Sequence, residues 1–278
     1  MKTSFPADTA GPAADHDVAF SRRGLLRWGL AGGAAVLGSP AFATSQAPGR
    51  GGADGPIAGG TLVIGADADP IGLDPTTVTA FSSFDFTGLI YTGLLRWNAD
   101  MKAEPDLAVG FETPDDRTYV FRLRQGVRFH DGRAFTAEDV KHTFDRILDP
   151  ATGSRLRSQY SGIKSVTVLD PFTVRFELGT TDAAFLNYLA TNPDGAIVPK
   201  GVENLGTQPV GTGPFMFEAY QPGQQFSLTA NPNYYEKGLP HLSKVIFRFY
   251  KDQATLSSAL RSRAVDMTWL KDPPRSRR

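Results

Sequence analysis

Between Thr118 and Leu148 the chain carries the pattern that most restricts what it can become. Residues 118 to 124 alternate, with Tyr119, Phe121 and Leu123 on one side and Val120, Arg122 and Arg124 on the other. A period of two is that of a strand with one buried face. His130-Asp131-Gly132 then reads as a turn. Thr136 with Asp139 three residues on is a capping-box pair, and Val140, Phe144, Ile147 and Leu148 form the apolar stripe of a helix that Asp149-Pro150 ends.

The flanking sequence continues in the same mixed style. Thr61-Leu62-Val63-Ile64-Gly65 predicts a short strand, and the loop from Ala66 to Pro75 is broken by Asp69-Pro70 and Asp74-Pro75. Ser82 with Asp85 is a second capping-box pattern, with Phe86, Leu89, Ile90, Gly93 and Leu94 on one helical face behind it. Two hairpins are predicted, 165–169 with 173–178 around Asp170-Pro171, and 215–220 with 225–230 around Pro222-Gly223. A strand over 244–250 buries Val245, Phe247 and Phe249, and Asp252 caps a short helix carrying Leu256, Ala259 and Leu260. No internal repeat is visible. The fold class read from this order is mixed α/β, or α+β, and neither a barrel nor a bundle.

Composition removes several chemistries. The 278 residues include no cysteine, which excludes disulfides, thiolate nucleophiles and cysteine-held metals. The four histidines (His16, His130, His142, His241) are scattered with no i, i+4 or H-x-H pair, so no local metal site is expected. Lys plus Arg balances Asp plus Glu, giving no electrostatic case for nucleic acid or an anionic membrane surface. No cofactor is expected. Near the start, Ser21-Arg22-Arg23-Gly24-Leu25-Leu26-Arg27 precedes a Gly- and Ala-rich apolar run and then Ala41-Phe42-Ala43. Residues 1–43 therefore read as a signal peptide of twin-arginine type, too short in its apolar run to span a bilayer. With no cysteine after it no lipid anchor is expected, and the product is expected free in the periplasm. Residues 44–60, rich in Gly, Ala, Pro and Ser, read as a disordered linker.

The motifs, taken in order, resemble a known family. GGTLVIGADADPIGLDP, YTGLLRWN, PDLAVGFE, TYVFRLRQGVRFHDGRAFTAEDVKHTFDRILDP, VGTGPFMFEAY, NPNYYEKG and VIFRFYKDQATLSSALRSRAVDM resemble the succession found in extracellular solute-binding proteins of family 5. These are the receptors that feed oligopeptides, dipeptides or nickel complexes to ABC importers. The resemblance runs from about Gly59 to Met267. It implies a lobe of type II periplasmic-binding-protein fold over 61–267, with the second lobe largely missing. The motifs themselves read mainly as fold: His130 as a turn residue, Glu138 and Asp139 as helix-cap acids, and the Gly211 to Pro214 GTGP as a chain crossing rather than a phosphate loop.

What the resemblance implies for function is capture by closure of two lobes, which needs no nucleophile, base or metal, so no enzymatic activity is expected. The expected partners are a peptide or other small solute and the permease subunits of an ABC transporter, with the chain itself monomeric and not membrane-anchored. Candidate ligand residues follow from position. Ala68 and Asp69 lie in the loop after the first strand, and Phe81, Ser82, Ser83 and Phe84 lie at the start of the next helix, where free N–H groups suit a carboxylate or carbonyl. Phe81 and Phe84 line an apolar pocket or belong to the core; Tyr160 is a ligand contact or a surface loop aromatic. Residues 268–278, with Pro273-Pro274 and an Arg-rich end, are expected to be an aberrant or disordered tail, as after a frameshift or premature stop. On that view the chain binds its solute weakly or not at all. The rivals are a secreted sensory module without a transport role and a secreted hydrolase, for which no G-x-S-x-G or nucleophile–base pair is found.

Overall fold

The computed structural model describes residues 58–269. The expected signal peptide, most of the expected linker and residues 270–278 lie outside them. The described chain opens with strand β1 (Thr61–Ala66) and, after a long loop, helix α1 (Phe81–Ile90). A two-stranded ribbon follows, β2 (Leu95–Trp97) against β3 (Ala103–Pro105). Strands β4 (Ala108–Asp115) and β5 (Thr118–Leu123) lead to α2 (Ala137–Leu148). Then come the hairpin of β6 (Ile163–Asp170) and β7 (Thr173–Leu178) and the short helix α3 (Phe185–Ala190). The last part holds the hairpin of β8 (Phe215–Gln221) and β9 (Gln225–Ala230), then β10 (Lys244–Phe249), α4 (Gln253–Arg261) and β11 (Met267–Thr268).

Two apolar cores result. In the first, the antiparallel sheet β4-β5-β7-β6 is covered by α2. Tyr119, Phe121 and Leu123 point inward from β5 as their alternation requires, and Val140, Phe144 and Ile147 of α2 meet that face. Phe144 stands edge-on to Phe176, centroids 5.0 Å apart, a geometry that adds about 0.5–1.5 kcal/mol beyond burial. Asp139 accepts from the Thr136 N–H (2.9 Å) and hydroxyl (3.2 Å), and its other oxygen accepts from Lys200 N–H. In the second core, α1 packs on the sheet β11-β1-β10-β9-β8. Phe86, nearly fully buried, is clasped by Phe226 and Phe247 at 4.9 and 4.5 Å. Here β1 runs parallel to both β10 and β11, while β10, β9 and β8 are antiparallel.

The GTGP strip crosses between the cores, and Val210 just before it packs against both. A Cβ on Gly211 would sit 2.0 Å from the Ile90 carbonyl oxygen, and on Gly213 2.6 Å from the same atom. Both contacts are with backbone, so only glycine fits. Gly213 N–H donates to that carbonyl at 2.8 Å. His130 fastens the strip from the other side. Its backbone N–H donates to Gly211 C=O (2.9 Å), its Nδ1 accepts from Gly211 N–H (3.3 Å), and its Nε2–H donates to Gly213 C=O (3.0 Å). The structural reading of His130 and of GTGP therefore holds.

Three local expectations are corrected. The Ser82–Asp85 capping box does not form: α1 begins at Phe81 with Ala80 as its N-cap, which puts Ser82 inside the first turn, where its hydroxyl reaches Asp69 C=O instead. The same helix ends at Ile90, so Gly93 and Leu94 belong to the extended chain beyond it. The ends of the expected segments also shift. Gly59 N–H donates to His241 C=O and Gly60 C=O accepts from Ser243 N–H, so order begins before Thr61. Thr268, assigned to the tail, is the second residue of β11 and donates its hydroxyl to Gly65 C=O at 2.8 Å.

Candidate functional site

The chain leaves β10, passes through α4 and returns as β11 on the opposite side of β1. Parallel neighbours reached by connections that diverge in this way open a crevice at their carboxyl ends, and ligands of open α/β sheets lie in such crevices. A cleft of about 370 Å³ lies here. Its floor is Gly65 and Ala66 at the end of β1. Gly65 is small because α4 packs on it: a Cβ there would meet Leu256 Cδ1 at 2.5 Å. One wall is the loop at Asp67 and Ala68. The facing wall is the first turns of α1, with Phe81, Ser82, Asp85 and Phe86, and Trp269 closes the side beyond β11.

The loop wall is held rigidly by side chains. Asp69 Oδ1 accepts from both Tyr220 Oη and Gly223 N–H at 2.8 Å, tying the loop to the β8–β9 hairpin. Burial, together with that hydrogen bond, pushes the Tyr220 phenol up to about 12. Ser83 Oγ accepts from Ile71 N–H at 3.0 Å, and Gln253 Nε2 donates to Asp67 at 3.3 Å. Further along, Asp74 forms a two-pronged ion pair with Arg146 of α2, a geometry that fixes orientation as well as charge.

Against this frame the seven candidate residues separate. Ala68, Phe81 and Ser82 line the cleft, and Phe81 is 81% exposed, far outside the range of a core phenylalanine. Asp69 is adjacent, with its carboxylate spent on the hairpin. Phe84 is half-buried; its ring meets Phe81 at 5.5 Å and carries the Arg155 guanidinium 4.9 Å above its centroid. Ser83 is fully buried beneath the loop. Tyr160 is neither the ligand contact nor the surface aromatic expected. It is 1% exposed in the first core, edge-on to Phe144, with its hydroxyl donating to Asp194 C=O at 3.2 Å. Burial raises its phenol far above the ordinary range.

Asp67, Asp85 and Trp269 also line the cleft and are not among the residues expected from sequence. Asp67 adjoins Ala68, which is. Asp85 was read as a capping partner, and Trp269 sat in the stretch assigned to the tail. Asp85 is raised above the ordinary carboxylate value, first by burial and then by the charge of Asp67. Among the described residues, none of the cleft-lining side chains is basic. A larger hollow of about 610 Å³ lies between Leu148 and Ser161, away from the strand ends. Its arginines are engaged: Arg157 donates to Leu148 C=O, and Arg155 to Val78 C=O and Asp194.

A mixed sheet with a crevice at its parallel strand ends, beside a second, antiparallel layer, is the architecture of a type II periplasmic binding-protein lobe. AgaA from A. tumefaciens R10, solved with agropinic acid, superposes with a TM-score of 0.70 at 36% identity over 74% of this chain and 43% of its own. AppA from Bacillus subtilis, solved with a nonapeptide, gives 0.71 at 28% identity over 76% and 44%. The family model for bacterial extracellular solute-binding proteins, family 5 middle, matches residues 102–277, and the chain belongs to that family. The glutathione-binding protein GsiB of Salmonella typhimurium is 32% identical over 211 residues, covering 74% of this chain and 41% of that protein. The chain thus spans less than half the length of the relatives it matches. Among the described residues no helix is long and apolar enough to cross a membrane.

Proposed function

We propose that the cleft between the end of β1 and the start of α1 is one wall of a solute-binding site, and that the solute is a short peptide or similar small molecule passed to the permease of an ABC importer. The observation that carries this is the pairing of an exposed aromatic, Phe81, with a loop immobilised by Asp69, Ser82 and Ser83 at parallel strand ends. A backbone already pinned has little conformational freedom left to give up on binding, which is what preorganisation means. The relatives solved with a nonapeptide and with an opine acid support a solute of that size. In this reading the chain is a receptor without catalytic groups, acting outside the cytoplasm as a monomer after twin-arginine export.

Capture needs a second wall, because only contacts with both sides favour the closed state over the open one. For the one wall that the described residues offer we expect an affinity in the millimolar range, about 4 kcal/mol. The test is titration of the full chain with tri-alanine, reading Trp269 emission in a background where Trp28 and Trp97 are replaced by Phe. A saturable change that is lost in Phe81→Ala supports the reading. No change at 20-fold excess over ~1 mM refutes it, as does a change that Phe81→Ala leaves intact.

A further inference from the structure

Asp85 is the one cleft-lining acid carried by α1, and it makes no hydrogen bond or ion pair among the described residues. It stands one turn into the helix and shares the cleft with Phe81, Phe86 and Trp269. Phe81 is 81% and Trp269 52% exposed, so ring surface is available in the same cleft as the carboxylate. We infer that Asp85 is a specificity-determining residue, selecting solutes that present a positively charged group, an ammonium or a guanidinium, to the aromatic cleft. The inference rests on the solute-binding reading above and names the charge class of its cargo.

Two opposing effects meet at this position, and their sizes decide between them. The N-terminus of α1 carries roughly half a positive elementary charge, which favours an anion. Asp85 alone carries a full negative one, and among the described residues no lysine or arginine lines the cleft to cancel it. The sum is negative, so a carboxylate arriving here is repelled and a cation is held. Partial burial and the nearby charge of Asp67 already make the Asp85 anion less comfortable than in water, and a bound cation relieves both. Exposed aromatic faces add attraction of the same sign, since a ring face draws an ammonium or guanidinium within about 6 Å. Carboxylate and rings therefore agree, whereas the helix terminus alone would favour the opposite cargo.

The test compares two capped peptides on the full chain by chemical-shift titration: Ala-Lys-Ala amide, which carries cations, and acetyl-Ala-Gln-Ala amide, which carries none. The cationic peptide is expected to bind about tenfold more tightly, the low end for a carboxylate–ammonium pair in a solvent-open site. Asp85→Asn should erase that preference, so that the two peptides bind alike, and Asp85→Glu should keep it. Asp85 makes no hydrogen bond or ion pair among the described residues, so an unchanged thermal midpoint of Asp85→Asn shows that folding is not the cause. Equal binding of the two peptides, or a preference that survives Asp85→Asn, overturns the charge assignment and leaves solute capture standing. If neither peptide moves the cleft resonances, solute capture falls and the charge assignment falls with it.

Discussion

Replacing His130 tests how the two cores are joined. Because Gly211 N–H donates to Nδ1, the proton of the neutral ring sits on Nε2 and reaches Gly213 C=O. His130→Ala removes both bonds. Gly213 C=O keeps Asn231 Nδ2 at 3.0 Å and loses about 0.5–1.5 kcal/mol. Gly211, which is buried, is left with an unsatisfied N–H at a cost of about 1–3 kcal/mol. Together these make about 1.5–4.5 kcal/mol of lost stability at pH 7.5. The same contacts set a pH dependence. Burial depresses the His130 pKa, so the unfolded chain, titrating near 6.5, takes up a proton that the folded chain refuses. The contribution is complete above about pH 6.5 and is lost as pH falls through the folded value. Urea unfolding followed by tryptophan fluorescence at pH 7.5 and 5.5 should show wild type losing more on acidification than His130→Ala. His142, also depressed by burial, is common to both proteins and drops out of the difference. A variant within about 0.5 kcal/mol of wild type, or equal acid losses in the two proteins, would refute the reasoning.

Other substitutions probe the remaining contacts. Gly211→Ala drives a Cβ against the Ile90 carbonyl and should cost about 3 kcal/mol or more in urea unfolding, beyond ordinary overpacking because backbone cannot yield. Tyr160→Phe loses one bond to Asp194 C=O and should cost about 1 kcal/mol with solute affinity unchanged; a large affinity loss without destabilisation would return Tyr160 to the site. Asp69→Ala frees the β8–β9 hairpin from the loop, lowering stability by about 2 kcal/mol and raising amide exchange over 67–72; protected amides there would count against the pinning. Phe81→Ala should leave stability within about 0.5 kcal/mol, as expected of an 81% exposed side chain, and weaken solute binding.

Much of this architecture was legible because periodicity, caps and turns agreed with one another. The alternation over Tyr119–Leu123, the Thr136–Asp139 pair and the Asp170-Pro171 and Pro222-Gly223 turns each name one local structure, and each formed. Elements whose residues are governed by tertiary contacts were missed. β4 contains Gly110 and Pro114, is largely exposed and shifts register twice against β5, so no alternation marks it. α3 is six residues long and has no side-chain cap. Ala68, Phe81 and Ser82 line the cleft, a location that position after a strand makes legible. Ser83 and Tyr160 were misplaced because burial of a serine under a loop, or of a tyrosine on a turn, depends on partners far along the chain, Ile71 and Asp194. Trp269 is brought to the cleft only by the parallel pairing of β11 with β1, which no local pattern announces.

The most direct measurement is a residue-resolved map of where a short peptide touches the folded chain. With tri-alanine at millimolar concentration, saturable amide shifts should concentrate at Gly65–Ala68, along Phe81–Phe86 and at Trp269. Shifts centred instead on the hollow between Leu148 and Ser161, or spectra that do not move, would contradict a solute site at the carboxyl end of β1.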